Sequence, residues 1–458
     1  MGAVKLNADS VVSRPRIDHA EAAPHQRSIR RRDGGGAFSF RTLAAVFLVL
    51  LTLGLAANAL LLARYPGLGP TDSVVYADAL DRALDGQAAH SSDTIGADTV
   101  AVVEERGILA LGAQWPVPGN GVKDWLPPDQ VPSTAYVHPP SYFLLTAVGV
   151  KVVQTVAPEA DWHATGRLLG AVWAALGGTV LVALAMAWRV SAWPATSLAA
   201  WLVLSPQPLV NTAFVTPSAA TLLVSSLVLL GVTLWWQRRI PWYALAPLGV
   251  LTVLFKSNNI VIALLGAVTI ITLAILTRTN WRDSGLALGG LLGGTGIATV
   301  AWRLWADPVT FDYESSLKLA PDITGFATWL ATPLGVGREV SMVRTNLLPQ
   351  HELLPWLAIL FTALMVFAAL WCVVRGGAGS VERAAGAVAL IAMAGAGLMF
   401  ALLSLLRTGV LLPAPGRYVL PAIAFAMWPL LLLAERRWVW VTATVATSAT
   451  ALGWLLTS

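Results

Sequence analysis

Hydrophobic positions in this chain come in long unbroken runs. The first is Thr42 to Ala63 and the second Thr165 to Trp188. Others follow at about 194–210, 217–236, 242–255, 258–277, 284–305, 353–374, 384–406, 417–434 and 437–457. A helix needs roughly 20 apolar residues to cross a bilayer, and the runs approach that length repeatedly. The short alternating segments of a membrane β-barrel do not occur. The pattern predicts an all-α polytopic membrane protein. Residues 42–458 form the membrane domain, and residues 1–41 form a polar, disordered basic tail.

One run is ambiguous. "VHPPSYFLLTAVGVKVVQTV" spans Val137 to Val156 and carries Lys151 in its middle. Counting 141–156 as a span gives twelve crossings, and leaving it out gives eleven. Short loops hold Arg189, then Arg238 with Arg239, Arg278 with Arg282, Arg375 with Arg383, and Arg436 with Arg437. With eleven spans and a cytoplasmic N-terminus, all five loops face the cytoplasm, as the positive-inside tendency requires. The segment is therefore expected to lie on the outer surface with Lys151 reaching toward headgroups. The alternative is a short tilted span. The eleven-span reading gives a large first extracytoplasmic loop, 65–164, with surface helix 141–156, and a second long one, 306–352. The C-terminus is then extracytoplasmic, and the setting is a plasma membrane.

Composition sharpens this picture. The chain is 56% hydrophobic and 12% charged, against roughly 25% charged in soluble domains. The net charge of +5 sits in short clusters between apolar runs, which is a topology signal and argues against nucleic acid as a partner. The single cysteine, Cys372, lies in an apolar run, so no disulfide framework is expected. Cys and His do not cluster as metal ligands. Trp188, Trp235, Trp236, Trp281 and Trp371 at one set of helix ends, and Trp162, Trp302, Trp305 and Trp356 at the other, read as interfacial belts.

Candidate chemistry gathers on the outer side. Lys256 follows a short apolar run and precedes "SNN", so a helix break is expected there. Arg407 and Arg417 stand at outer ends of two further spans. Three cations at one depth suit a lipid phosphate or pyrophosphate, which arginine grips bidentately. A snorkelling lysine is the plainer account of Lys256. Asp72 lies in "GPTDSVVYADALDRAL", soon after the first span. It reads either as a helix N-cap or as a general base beside the phosphate. Val74, Val75, Ala79 and Leu80 form one apolar face of the following helix, with Asp78, Asp81 and Asp85 expected to be more exposed. In the second long loop, "ITGFATWLATPLG" reads as another interfacial helix, and Arg338 and Arg344 as an extension of the basic lining.

In this order, the motifs resemble the GT-C superfamily of membrane glycosyltransferases, which includes protein mannosyltransferases and aminoarabinose transferases. The resemblance rests on Asp72 after the first span, "HPPSYFLL", "GRLLGAVWAALGG", "LSPQPL", "AFVTPSAATLL", "FKSNN" and "GRYVLP", and covers about 42–434. Departures are visible. Ser73 stands where many relatives have a second acid, leaving Asp78 as the candidate for one. "VTPSAA" lacks the aspartate common beside its proline, and "KSNN" replaces Lys-Gly or Lys-Pro.

The resemblance implies a GT-C-like bundle of about 11 transmembrane helices, with juxtamembrane helices in the first extracytoplasmic loop. It implies a polyprenyl-phosphate sugar donor and a glycan, glycolipid or protein acceptor in the cell envelope, with inversion at the anomeric carbon. Asp72 would be the base. Lys256, Arg417 and Arg407 would hold the donor phosphate, and His138, Tyr142 and Asp78 would position substrate. No cofactor is called for. Some relatives use a divalent ion, but a lone aspartate ligates one poorly. Two other classes stay open: a transporter or flippase of a lipid-linked or anionic substrate, and a GT-C-like scaffold without activity.

Overall fold

A computed structural model describes residues 39–69, 72–108, 132–306, 353–408 and 420–457. Among them the chain is helical, with two isolated β-bridges, Leu68 to Ile108 and Thr94 to Pro132. The helices run in chain order as α1 (Phe40–Arg64), α2 (Ser73–Leu84), α3 (Ala97–Arg106), α4 (Ser141–Val156) and α5 (Trp162–Ala187). Next come α6 (Ala192–Leu204), α7 (Pro206–Ala213), α8 (Thr221–Trp236), α9 (Leu245–Leu254) and α10 (Ile260–Thr277). The chain closes with α11 (Trp281–Trp305), α12 (Leu353–Arg375), α13 (Val381–Thr408), α14 (Ile423–Leu432) and α15 (Arg437–Leu456).

Each of the eleven expected crossings contains a helix. Among the described residues eight helices are long and apolar enough to cross a membrane, and the other three, Ala192–Leu204, Trp242–Leu254 and Leu420–Leu432, are shorter. Breaks account for two of these. Ser205 is extended, and Pro206, which has no N–H, starts the separate helix α7. Lys256 is also extended (φ −162°, ψ 126°) and stops α9 before a 3-10 turn, Ser257–Asn259, leads into α10.

Consecutive crossings alternate direction, which separates two ends of the bundle. At one end, the backbone N–H and hydroxyl of Ser191 donate to Glu435 Oε1 at 2.8 and 2.7 Å. Arg238 pairs with Asp283 at 2.8 Å, and Trp188 packs against Trp236 and Trp428. Arg189, Arg238 and Arg278 close α5, α8 and α10 here in the left-handed region, with φ of 65°, 61° and 52°. That conformation costs an L-residue roughly 1–2 kcal/mol, and a cation at a helix C-terminus offsets part of it. Trp235, expected in the interfacial belt, is instead buried.

The opposite end carries segments that lie outside the expected crossings. α4 starts beside Val137, whose carbonyl accepts from Ser257. It ends near Asp161, which pairs with Arg106. The neighbouring Gly107 carbonyl accepts from Leu68 N–H at 3.0 Å. Both ends of α4 are thus tied to the same end of the bundle. Tyr142, Phe143, Thr146, Ala147 and Val150 form its buried face. Leu145, Val148, Val152 and Val156 are exposed, together with Lys151 and Thr155.

α5 occupies the centre, packed on α1, α6 and α8. Its small-residue run explains the close approach. A Cβ on Gly170 would collide with the Thr212 carbonyl, and one on Gly177 would sit 2.9 Å from the Leu223 amide nitrogen. Asp161 caps the helix by accepting from His163 N–H at 2.9 Å.

Candidate active site

Of the candidate residues named from the sequence, Asp72, Asp78, His138, Tyr142 and Lys256 are described with their contacts. Asp72 is the N-cap residue of α2, its carbonyl accepting from Tyr76 N–H at 3.0 Å, while its side chain makes no cap bond. One turn on, the Tyr76 hydroxyl donates to Asp72 Oδ2 at 3.4 Å. Tyr76 is buried, and its oxygen also lies 3.2 Å from His138 Nε2. His138 Nδ1 lies 3.4 Å from Ser257 Oγ. With the Tyr76 proton on Asp72, His138 Nε2–H donates to the Tyr76 oxygen. Asp72 and the α9–α10 break are thereby joined through two side chains.

Lys256 sits at that break and is 3% exposed. Its ammonium donates to Ser218 Oγ at 2.6 Å. Ser218 belongs to the 3-10 turn Pro217–Ala220, which Thr216 caps by accepting from Ser218 N–H at 3.3 Å. The "VTPSAA" stretch thus supplies a hydroxyl to the lysine from the residue after its proline.

Other expected residues have different surroundings. Asp78 is fully buried rather than exposed. It accepts from Arg82 Nε at 3.0 Å, Ser133 Oγ at 2.6 Å and Gly96 N–H at 2.7 Å. Those bonds fasten α2 to segments 94–96 and 132–133, which the periodicity of α2 could not show. Tyr142 is also fully buried. It accepts from Thr216 N–H at 3.4 Å and packs on Phe143 and Trp173. Burial pushes its hydroxyl up to about 12, so it stays protonated and fixes α4 to the 216 turn. Arg407 lies in α13 near its end, with its side chain outside the described part. Arg417, Arg338, Arg344, the 306–352 loop and the basic tail lie outside the described residues.

Arg167 was quoted in the sequence only as part of a small-residue run, yet it organises this end. It is 1% exposed. Nε donates to the Ala213 carbonyl at 2.8 Å, and Nη1 donates to the carbonyls of Tyr65 and Gly67 at 2.7 and 2.8 Å. The guanidinium also stacks over Phe214 at 4.5 Å. These carbonyls follow or end α1 and α7, where the helix dipoles leave partial negative charge. A cation inside a small-residue apolar run was the available signal.

Outside the spans, Asp161 is held below the usual carboxylate range. Burial opposes this, but the Arg106 hydrogen bond and the His163 N–H outweigh it. Asp81 moves the other way, up to about 6, through burial first and then the charges of Asp98, Asp78 and Asp85. Among the described residues no group of three or more His, Cys, Asp or Glu could hold a metal ion.

No family model matches this chain, and no curated protein does. Among solved structures, the crystal structure of ArnT from Cupriavidus metallidurans bound to undecaprenyl phosphate is similar. The identity is 17% over 90% of this chain and 77% of that one, with a TM-score of 0.36. So loose a superposition carries no argument about this chain, and the functional reading rests on the site itself.

Proposed function

We propose that the chain is a membrane glycosyltransferase of the GT-C type. It moves a sugar from a polyprenyl-phosphate donor to a hydroxyl of a cell-envelope glycan, glycolipid or protein, on the outer face of the plasma membrane. The observation that carries this reading is the hydrogen-bonded run from Asp72 through Tyr76 and His138 to Ser257, beside the buried Lys256. A carboxylate and a cation at one membrane-proximal end are the two charges that phosphate displacement needs.

In this mechanism Asp72 accepts the acceptor hydroxyl's proton as that oxygen attacks the anomeric carbon. The carbon–oxygen bond to phosphate breaks, and the lipid phosphate leaves with its electron pair and inverts the centre. Ser218 aims the Lys256 ammonium, which stabilises the charge growing on the phosphate. Arg407 and Arg417 are the further cations that the sequence offers to that phosphate. Tyr76 and His138 orient Asp72 without touching the reacting atoms. A single carboxylate suffices for one in-line displacement, so Ser73 in place of a second acid is no obstacle. The arginine-bearing end faces the cytoplasm by the positive-inside tendency, so the N-terminus is cytoplasmic and the C-terminus extracytoplasmic.

The test uses the full chain in nanodiscs with radiolabelled undecaprenyl phosphate. Wild-type protein should bind it saturably, and Lys256→Met should weaken binding roughly tenfold or more, as loss of a charge-assisted contact does. Equal binding by both proteins would contradict the phosphate assignment. Lipid translocation without sugar transfer would favour the transporter reading.

A further inference from the structure

Two helices at the arginine-bearing end close with the same hydrogen-bonded cap. After α5, Arg189 N–H donates to the Met186 carbonyl and Val190 N–H to the Ala185 carbonyl. After α8, Arg238 N–H donates to the Trp235 carbonyl and Arg239 N–H to that of Leu234. This cap needs a left-handed residue just past the helix, and glycine is its usual occupant. The opposite end follows that rule. There α2 closes with Gly86 N–H donating to the Ala83 carbonyl and Gln87 N–H to that of Arg82, and Gly86 takes the left-handed angle, φ 73°. At the arginine-bearing end the left-handed residues after α5, α8 and α10 are Arg189, Arg238 and Arg278. Among the described residues they are the non-glycine residues with positive φ.

The same cap thus takes glycine at one end and arginine at the other, against the backbone's preference. The helix dipole does not account for this. It favours a cation anywhere in the last turn, where an arginine would be unstrained. The left-handed position stands beyond that turn. Arg189, Arg238 and Arg278 are all exposed there, and the Arg238 side chain keeps 71% of its surface although it pairs with Asp283. Arg239, Arg282, Arg436 and Arg437 are exposed at the same end, so cations outnumber the acids Asp283, Glu382 and Glu435. Exposed rings mark the depth. Trp193, Tyr243 and Trp281 are 64, 63 and 60% exposed, each close in sequence to one of the three arginines. Such amphipathic rings settle at the lipid headgroups. An arginine at that depth meets lipid phosphate.

We propose that Arg189, Arg238 and Arg278 form a docking rim for anionic phospholipid headgroups in the leaflet at this end, the cytoplasmic one by the positive-inside tendency. Each guanidinium donates to headgroup phosphate oxygens, and that contact offsets the strain of the left-handed arginine. A zwitterionic headgroup carries its own cation beside the phosphate, which weakens the attraction, so the rim selects lipids of net negative charge. The rim lies at the end of the bundle away from Asp72 and does not depend on the glycosyl-transfer reading.

The experiment uses the full chain in a neutral detergent. It compares wild type with Arg278→Gly and with a triple variant that adds Arg189→Gly and Arg238→Gly. Arg278→Gly comes first because removing Arg238 also breaks its pair with Asp283. Arg239, Arg282, Arg375, Arg436 and Arg437 stay in place, so the charge bias that sets topology is kept. Affinity for phosphatidylglycerol is titrated against that for phosphatidylcholine, and the melting temperature is followed without lipid. Wild type should bind phosphatidylglycerol more tightly. Each glycine should raise the lipid-free melting temperature by relieving strain and weaken phosphatidylglycerol binding roughly fivefold, with phosphatidylcholine binding unchanged. Stability and lipid affinity thus move in opposite directions, whereas loss of a merely structural arginine lowers both. A triple variant with the wild-type preference for phosphatidylglycerol overturns the rim, as does a wild type with no preference. A lower lipid-free melting temperature in Arg278→Gly also overturns it, because contacts within the protein would then hold the arginine. Binding of soluble poly-glutamate by a wild type that shows no lipid preference would assign the arginines to an acidic protein and exclude the lipid.

Discussion

The Tyr76 hydroxyl donates to the Asp72 carboxylate from one helical turn away, at 3.4 Å. Tyr76 is itself fixed by His138 on a separate segment, so the carboxylate's orientation depends on the junction between α2 and α4. Tyr76→Phe keeps the ring packing and removes the hydroxyl's contacts with Asp72 and His138. It is expected to lower kcat roughly ten- to a hundredfold through misplacement of the base, with KM for the lipid donor and the melting temperature unchanged. Parallel loss of kcat and melting temperature would indicate a packing role instead.

Asp78 tests a different assignment. It is buried and held by three donors, so Asp78→Ala leaves Arg82, Ser133 and Gly96 without their acceptor. The expected cost is about 3 kcal/mol, read as a lower melting temperature in detergent. Activity per folded molecule should remain. Full stability with lost transfer would return Asp78 to the substrate-positioning role that its sequence position suggested.

Asp81 gives a pH signature. Its folded-state pKa is raised to about 6 from an ordinary 3.8, through burial and neighbouring acids. The protonated form therefore favours the fold. That contribution is complete below the ordinary value and disappears as pH rises through about 6. Asp81→Asn should raise the melting temperature at pH 7.5 and leave it nearly unchanged at pH 4. An equal shift at both values would contradict the assignment.

Arg167 should be irreplaceable by an apolar residue of similar length. Arg167→Met orphans the carbonyls of Tyr65, Gly67 and Ala213 and should cost at least about 3 kcal/mol. Limited proteolysis would show the α1 and α7 ends opening first. Wild-type resistance in this variant would mean that other groups satisfy those carbonyls.

The sequence and the structure agree most where a feature is local. Each expected crossing holds a helix because hydrophobic runs specify helices residue by residue. The break at Lys256 was legible from a short run followed by "SNN". What stayed hidden depends on distant partners. Tyr76 looks like any apolar-face residue of α2 until His138, 62 positions away, reaches it. Asp78 looked solvent-facing because its closure needs Ser133, 55 positions on. The carbonyls bound by Arg167 lie 46 to 102 positions away and carry no side-chain signature.

The central claim is that Asp72 is the base for sugar transfer at this site. The most direct measurement is transfer of labelled sugar from a polyprenyl-phosphate donor to a cell-envelope acceptor fraction by wild type and Asp72→Asn in nanodiscs. The account predicts a roughly 10²–10⁴-fold loss of kcat, with donor binding and melting temperature retained. Transfer by Asp72→Asn at the wild-type rate would contradict it.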